Sequence, residues 1–266
     1  MAKFQVNMIS YSLQRTIDLT IIVPTTSFPE ALGLNGYKPS HVVKDKYPVL
    51  YLMHGLGNNH ATWGGYSNIE LFAEERNIAV VMFSGENKFY TNTKVTSPYP
   101  KFGDDWDQFI DKELPEFVTN YFPISDKAED TYIAGLSMGG AGALMHGIRN
   151  PEKYHAVGAF SAAIVMTDKD AAERNMPLYD PRADIDRAKE QKIQLPQFYI
   201  ACGQDDSWHV PDEAVAKYLK NDGYAVDWNL VPGFTHEWRF WNQQVEKFLD
   251  WLPREDAYVK KGRRQI

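Results

Sequence analysis

The stretch Thr131–Asn150, TYIAGLSMGGAGALMHGIRN, restricts the possible folds more than any other part of the chain. Tyr132, Ile133, Ala134 and Leu136 make a short β-favouring run that ends at Ser137. An Ala-, Gly-, Leu- and Met-rich helical segment follows until Asn150-Pro151 stops it. A strand that passes into a helix within one residue must turn sharply. Gly135 and Gly139 flank the serine at minus two and plus two, where strand and helix backbones approach too closely for a β-carbon. Ser137 is therefore expected at the tip in a strained conformation, with its hydroxyl presented and the Met138 amide at the helix start beside it. G-x-S-x-G alone is a weak signal. Its plainer reading is a glycine-rich helix start with an N-capping serine, and the rest of the chain has to decide between the two.

The remaining organisation supports a doubly wound sheet. Phe4 to Ile9 and Thr16 to Val23 read as an antiparallel hairpin ended by Pro24, and residues 25 to 46 as a connecting loop. Tyr47 to Met53 is a nearly unbroken apolar run, as expected of a strand buried on both faces, and it ends in His54-Gly55-Leu56-Gly57. A helix over 68–76, a strand over 78–83, and a long loop from Ser84 to Gly103 follow. Asp104-Asp105 caps a helix reaching about Tyr121 that Pro115 is expected to bend. After the central turn come strands over 154–161, 197–202 and 225–231, with helices over 211–221 and 237–252. Residues 162 to 195 are charged and interrupted by prolines, and read as an inserted, lid-like segment with short helices over one end of the sheet. Alternating strands and helices predict an α/β fold: a mostly parallel sheet of about eight strands with helices on both faces. No linker or repeat divides it, so one domain over 1–266 is expected.

Composition limits the partners. With 44% hydrophobic residues in 266, the chain can bury a large core, and its net charge of −7 argues against phosphate-backbone binding, so no nucleic-acid partner is expected. A single cysteine, Cys202, excludes an internal disulfide and multi-cysteine metal clusters. MAKFQVNMISYS carries no continuous apolar run, so neither export signal nor membrane span is read there, and the cytoplasm is the default. The basic tail, Lys260-Lys261-Gly262-Arg263-Arg264, reads as a solvated end, and aromatic residues in the two long loops are compatible with a homo-oligomer.

In such a sheet the site forms at the carboxyl ends of the strands. Those ends carry His54-Gly55-Leu56, Ser137, Gly203-Gln204-Asp205-Asp206, and Gly233-Phe234-Thr235-His236. Ser, then Asp, then His is the chain order of a hydrolase of this architecture. A serine hydroxyl becomes nucleophilic when a neutral imidazole takes its proton, and a carboxylate must hold that imidazole's tautomer. His236 would be the base; Asp205 and Asp206 are adjacent, and either could be the acid or merely start the next helix. Amides of Leu56 and Met138 would bind the oxyanion, with His54 holding their loop. Trp63, Tyr99, Trp208 and Trp238 are candidates for a pocket, whereas Trp241, Phe248 and Trp251 are spaced as core. His209 with Asp205 makes a poor zinc set without a second histidine, so no metal site and no cofactor are assigned.

YLMHGLGNN, SNIE, FYTN, GLSMGG, CGQDD and PGFTHEWRFW together, over roughly 47–252, resemble the esterase D-type branch of the α/β-hydrolases, most closely the small bacterial tributyrin esterases. The resemblance implies Ser137 as nucleophile, Asp206 as acid, His236 as base, and Leu56 with Met138 as oxyanion donors. It implies hydrolysis of short-chain acyl esters, including acetyl or phenolic esters of carbohydrates. S-formylglutathione hydrolases usually carry a cysteine soon after this HG pair; this chain has Gly57-Asn58-Asn59 instead, which disfavours the thioester.

Overall fold

The computed structural model describes residues 1–266 apart from 37, 93–103, 260, 261 and 265. Eight strands, β1 (Ala2–Ser10), β2 (Arg15–Val23), β3 (Val49–Met53), β4 (Ala79–Phe83), β5 (Thr131–Leu136), β6 (Ala156–Phe160), β7 (Gln197–Gly203) and β8 (Val226–Val231), form one sheet in the order β1-β2-β4-β3-β5-β6-β7-β8. The expected antiparallel hairpin opens it, β2 runs antiparallel to β4, and the pairings from β4 across to β8 are parallel. This is the architecture of the α/β-hydrolases.

Ten α-helices accompany these strands among the described residues. They are α1 (Phe28–Ala31), α2 (Thr62–Tyr66), α3 (Ile69–Arg76), α4 (Trp106–Gln108), α5 (Leu114–Tyr121), α6 (Met138–Arg149), α7 (Asp168–Arg174), α8 (Arg182–Glu190), α9 (His209–Asn221) and α10 (Trp238–Trp251). Every residue of β3, β4 and β6 is buried, as two-sided covering of a parallel sheet requires. Alternation then divides the core. Val49, Tyr51 and Met53 pack with Leu114, Leu144 and Val215 on one face; Leu50 and Leu52 pack with Phe72, Val245 and Phe248 on the other.

Several local features differ from expectation for identifiable reasons. Loop 25–46 contains α1, started by a full capping box between Ser27 and Glu30. The helix up to Tyr121 does not simply bend at Pro115: Phe109–Glu113 forms a π-helical turn just before the proline, a wider turn that suits a residue lacking an N–H. Of the basic tail, Lys260 and Lys261 lie outside the described residues, and Arg264 is tied to the body of the protein. Arg264 pairs with Glu30, and its amide donates to the Glu75 carbonyl at 2.7 Å. Within 162–195, α8 buries Ile185 and Ala188 and binds α6 through Arg149 and Asp184 at 2.7 Å, so that half is docked on the core. No helix among the described residues is long and apolar enough to cross a membrane.

The strand order fixes where the site lies. From β3 the chain moves to one side for β4, then returns across β3 to lay down β5, β6, β7 and β8 in turn. The crevice between the carboxyl ends of β3 and β5 is thus the switch point at which ligands bind in open α/β sheets.

Candidate active site

Ser137 occupies the sharp turn between β5 and α6 with φ 52 and ψ −117. That conformation is costly for a residue with a β-carbon, and packing on both sides holds it. A β-carbon on Gly139 would lie 2.6 Å from the Met53 carbonyl oxygen and 2.7 Å from that of His54, so α6 can start against β3 only with glycine there. The Ser137 amide donates to Phe160 O (2.9 Å), and its carbonyl accepts from Ala163 N–H (2.9 Å). The strained residue is therefore bonded through its amide to the end of β6 and through its carbonyl to the segment that follows it.

Side chains far apart in sequence meet here. His236 Nε2 lies 3.0 Å from Ser137 Oγ, and His236 Nδ1 lies 2.8 Å from Asp206 Oδ2. A carboxylate accepts only, so Nδ1 carries the proton and Nε2 is left to accept from the serine hydroxyl. Asp206 is 1% exposed. Burial alone would raise its pKa, but hydrogen bonds from His236, the Trp208 amide and the Ser161 hydroxyl hold it below the usual carboxylate range. Asp205 is exposed and its amide donates to Phe234 O (3.1 Å); the geometry brings Asp206, not its neighbour, to the histidine. The His236 ring is also packed edge-on against Trp241, with centroids 4.8 Å apart.

The loop after β3 supplies the second component. His54 Nε2 accepts from the Gly85 amide (2.7 Å), which places the ring proton on Nδ1, where it donates to Gly55 O (2.7 Å). Peptide planarity makes the Leu56 amide point opposite to the restrained Gly55 carbonyl, and it has no acceptor among the described residues. Burial lowers the His54 pKa, which suits a ring needed neutral. Met138 is the first residue of α6, so its N–H has no intrahelical acceptor. Leu56, Ser137, Met138 and His236 all border one cavity of about 620 Å³. Three other recesses, of about 200, 240 and 550 Å³, contain none of these residues.

The pocket differs in part from the sequence expectation. Trp208 and Trp238 line the cavity. Trp63 does not reach it: the residue is 1% exposed, donates through Nε1 to Met53 O (3.0 Å) and supports Trp238 edge-on from behind. Tyr99 lies outside the described residues. Trp241 is buried in the core as expected, 5% exposed, and in addition borders the cavity one helical turn beyond Trp238. Phe89, from the FYTN stretch, and Met176 complete the apolar wall, and neither was among the residues expected there. His209 donates to or accepts from no metal-like cluster; its Nδ1 lies 2.7 Å from the Asp206 carbonyl oxygen at the start of α9. Asp107, Asp111 and His146 do hold potential ligand atoms within 4.8 Å of one another, but both nitrogens of His146 and both oxygens of Asp111 already have protein partners. Cys202 is fully buried, and burial pushes its thiol far above the range in which it would ionise.

A family model described as "Putative esterase" matches residues 25–253. The chain belongs to that esterase family. It is a carboxylic ester hydrolase. An acetyl esterase from Caldicellulosiruptor saccharolyticus is 29% identical over 276 residues, spanning 96% of this chain and 99% of the relative. Among solved structures, an S-formylglutathione hydrolase from Staphylococcus aureus is similar with a TM-score of 0.75 at 23% identity, over 94% of this chain and 98% of that one. A ferulic acid esterase from Anaeromyces mucronatus matches with a TM-score of 0.68 at 18% identity, over 93% and 89% respectively. These two likenesses are likenesses of fold.

Proposed function

We propose that this hydrolase is a serine carboxylesterase acting on short-chain acyl esters. Ser137 attacks the ester carbonyl while His236 takes its proton; the imidazolium then returns that proton to the leaving alcohol, and water clears the acyl-enzyme by the same route. Asp206 holds the His236 tautomer and stabilises the imidazolium. The Leu56 and Met138 amides receive the charge that develops on the carbonyl oxygen. The observation that carries this reading is the unbroken run of hydrogen bonds from Ser137 Oγ through His236 to Asp206, at 3.0 and 2.8 Å.

The tryptophans and Met176 around the cavity favour a small or planar apolar group over a charged one. The acetyl esterase relative makes acetyl esters, including those of sugars, the first substrates to test, with phenolic esters next. The inserted segment 162–195, whose Met176 borders the cavity, serves as the lid-like part of a single domain. The test is an acyl-length series of p-nitrophenyl esters, acetylated sugars, methyl ferulate and S-formylglutathione, run on wild type and Ser137→Ala. The highest kcat/KM should fall on acetyl to butyryl esters and vanish in the variant. Preference for the thioester would shift the substrate assignment, and full activity in Ser137→Ala would remove the mechanism.

A further inference from the structure

The segment joining β4 to the undescribed stretch is held in a conformation that short-range sequence preferences do not explain. Glu86, Asn87, Phe89 and Tyr90 have φ values of 48, 56, 54 and 55. Four non-glycine residues in the left-handed region within five positions persist only where their surroundings determine them. Here those surroundings are the oxyanion loop. Gly85 N–H donates to His54 Nε2 (2.7 Å), Asn87 Oδ1 accepts from the Gly57 amide (2.6 Å), and the Tyr90 hydroxyl donates to His54 O (2.9 Å). The segment therefore holds the His54–Gly57 loop at three points.

Tyr90 is the centre of this clasp. Its ring is fully buried between Phe83, Trp106 and His54. Two glycines leave room for it: a β-carbon at Gly142 would lie 2.8 Å from Tyr90 Cδ2, and one at Gly85 2.6 Å from Tyr90 Cζ. Its backbone is anchored from α6, where His146 Nε2 lies 2.9 Å from Tyr90 O. His146 Nδ1 lies 2.9 Å from Asp111 Oδ2. The Tyr90 carbonyl can only accept, so Nε2 carries the proton there, and Nδ1 shares its hydrogen bond with the Asp111 carboxyl, which engages both edges of the ring. Asp111 is itself held by Asn150 Nδ2 (2.9 Å) and the Tyr154 hydroxyl (3.1 Å). Nothing in this arrangement touches the cavity, yet it buries a histidine to 1% exposure with both ring nitrogens hydrogen-bonded, which is a large commitment for packing alone.

We propose that Tyr90 and His146 are positioning residues for the oxyanion hole: the Asp111–His146 pair fixes the Tyr90 backbone, and the Tyr90 hydroxyl fixes the His54–Gly55 peptide that precedes the Leu56 donor. This rests on the reading that the Leu56 amide binds the oxyanion. The relay acts on the transition state, where charge sits on the carbonyl oxygen, and leaves ground-state binding alone. It also accounts for the FYTN stretch, which the triad and its donors do not use.

The test compares wild type, Tyr90→Phe, His146→Gln and the double variant, with Ser137→Ala as control, using p-nitrophenyl acetate and a short alkylboronic acid that forms a tetrahedral adduct on the serine. Tyr90→Phe keeps the ring and removes one hydrogen bond. It should lower kcat about tenfold or more, up to the roughly 10² to 10³ expected for outright loss of a donor, while KM stays within twofold. Boronate affinity should fall in parallel with kcat. The double variant should lose less than the product of the single losses, as two members of one relay do. A merely structural role would lower thermal stability without separating boronate affinity from KM. Wild-type kcat and boronate affinity in Tyr90→Phe would overturn the proposal, and that variant decides alone if His146→Gln does not fold. Activity surviving in Ser137→Ala would instead overturn the serine reading beneath it.

Discussion

Replacing Asp206 by Asn separates orientation of the imidazole from the chemistry of the serine. Asp206 is buried, and its Oδ2 receives the Nδ1 proton of His236 at 2.8 Å. In the proposed mechanism His236 becomes an imidazolium in the transition state, and two unit charges then face each other across a hydrogen bond. At about 4 Å and an effective dielectric of about 20, their interaction is roughly 4 kcal/mol. The histidine side chain is 35% exposed, so solvent screens part of that, and about 3 kcal/mol is a fair value to carry forward. At about 1.4 kcal/mol per decade this is a loss of roughly 10² in kcat. An amide turned with its NH₂ toward Nδ1 would also select the wrong tautomer, which takes the expected loss to about 10³ or beyond. The assay is kcat on p-nitrophenyl acetate for wild type, Asp206→Asn and Asp205→Asn, with circular dichroism to confirm folding. Asp205 is exposed and its side chain does not meet the histidine, so its variant should stay within about threefold. A large loss in Asp205→Asn with little loss in Asp206→Asn would refute the reasoning.

Three further substitutions test the same geometry. His54→Leu removes the restraint on Gly55 O and leaves the Gly85 amide unpaired, so kcat should fall about 10-fold to 100-fold with little change in KM. Because burial holds the folded His54 pKa down, the unfolded ring takes up a proton below about pH 6.5 that the folded ring refuses; wild-type stability should therefore fall as pH drops through that value, and more steeply than in the Leu variant, as read by Tm. Asp212 is fully buried, its Oδ2 accepts from the Ala162 amide (2.9 Å), and burial pushes its carboxyl well above the usual range. The unfolded group ionises above about pH 3.9 while the folded one stays protonated, so this residue costs more stability as pH rises; Asp212→Asn should gain in Tm relative to wild type from pH 5 to pH 8, and a constant difference would contradict this. Gly139→Ala must displace the Met53 and His54 carbonyls, so it should cost more than about 3 kcal/mol in denaturant unfolding or fail to fold, and a near-neutral result would show that the turn yields more than its packing suggests.

What the sequence disclosed depended on how local the cause was. The strand from Val49 and the turn at Ser137 were visible because apolar runs and flanking glycines act over a few residues. Ser137, Asp206 and His236 could be nominated because strand ends in a doubly wound sheet must converge, although choosing Asp206 over Asp205 needed either the family resemblance or the coordinates. Helix α2 was missed because TWGGY offers two glycines and no periodicity; its hold comes from Trp63 buried on the Met53 carbonyl. Trp63 was assigned to the pocket but lies in the core for a related reason: burial and pocket lining both use large aromatics, and the sequence does not separate them. The clasp through Tyr90 and His146 was illegible, since it joins residues 56 positions apart through a backbone carbonyl that has no side-chain signature.

The most direct test of the central claim is reaction with a fluorophosphonate followed by peptide mass spectrometry. One adduct per chain, located on Ser137, absent in Ser137→Ala and formed at least about 100-fold more slowly in His236→Ala, is the expected result. An adduct on another residue, or undiminished labelling without His236, would contradict it.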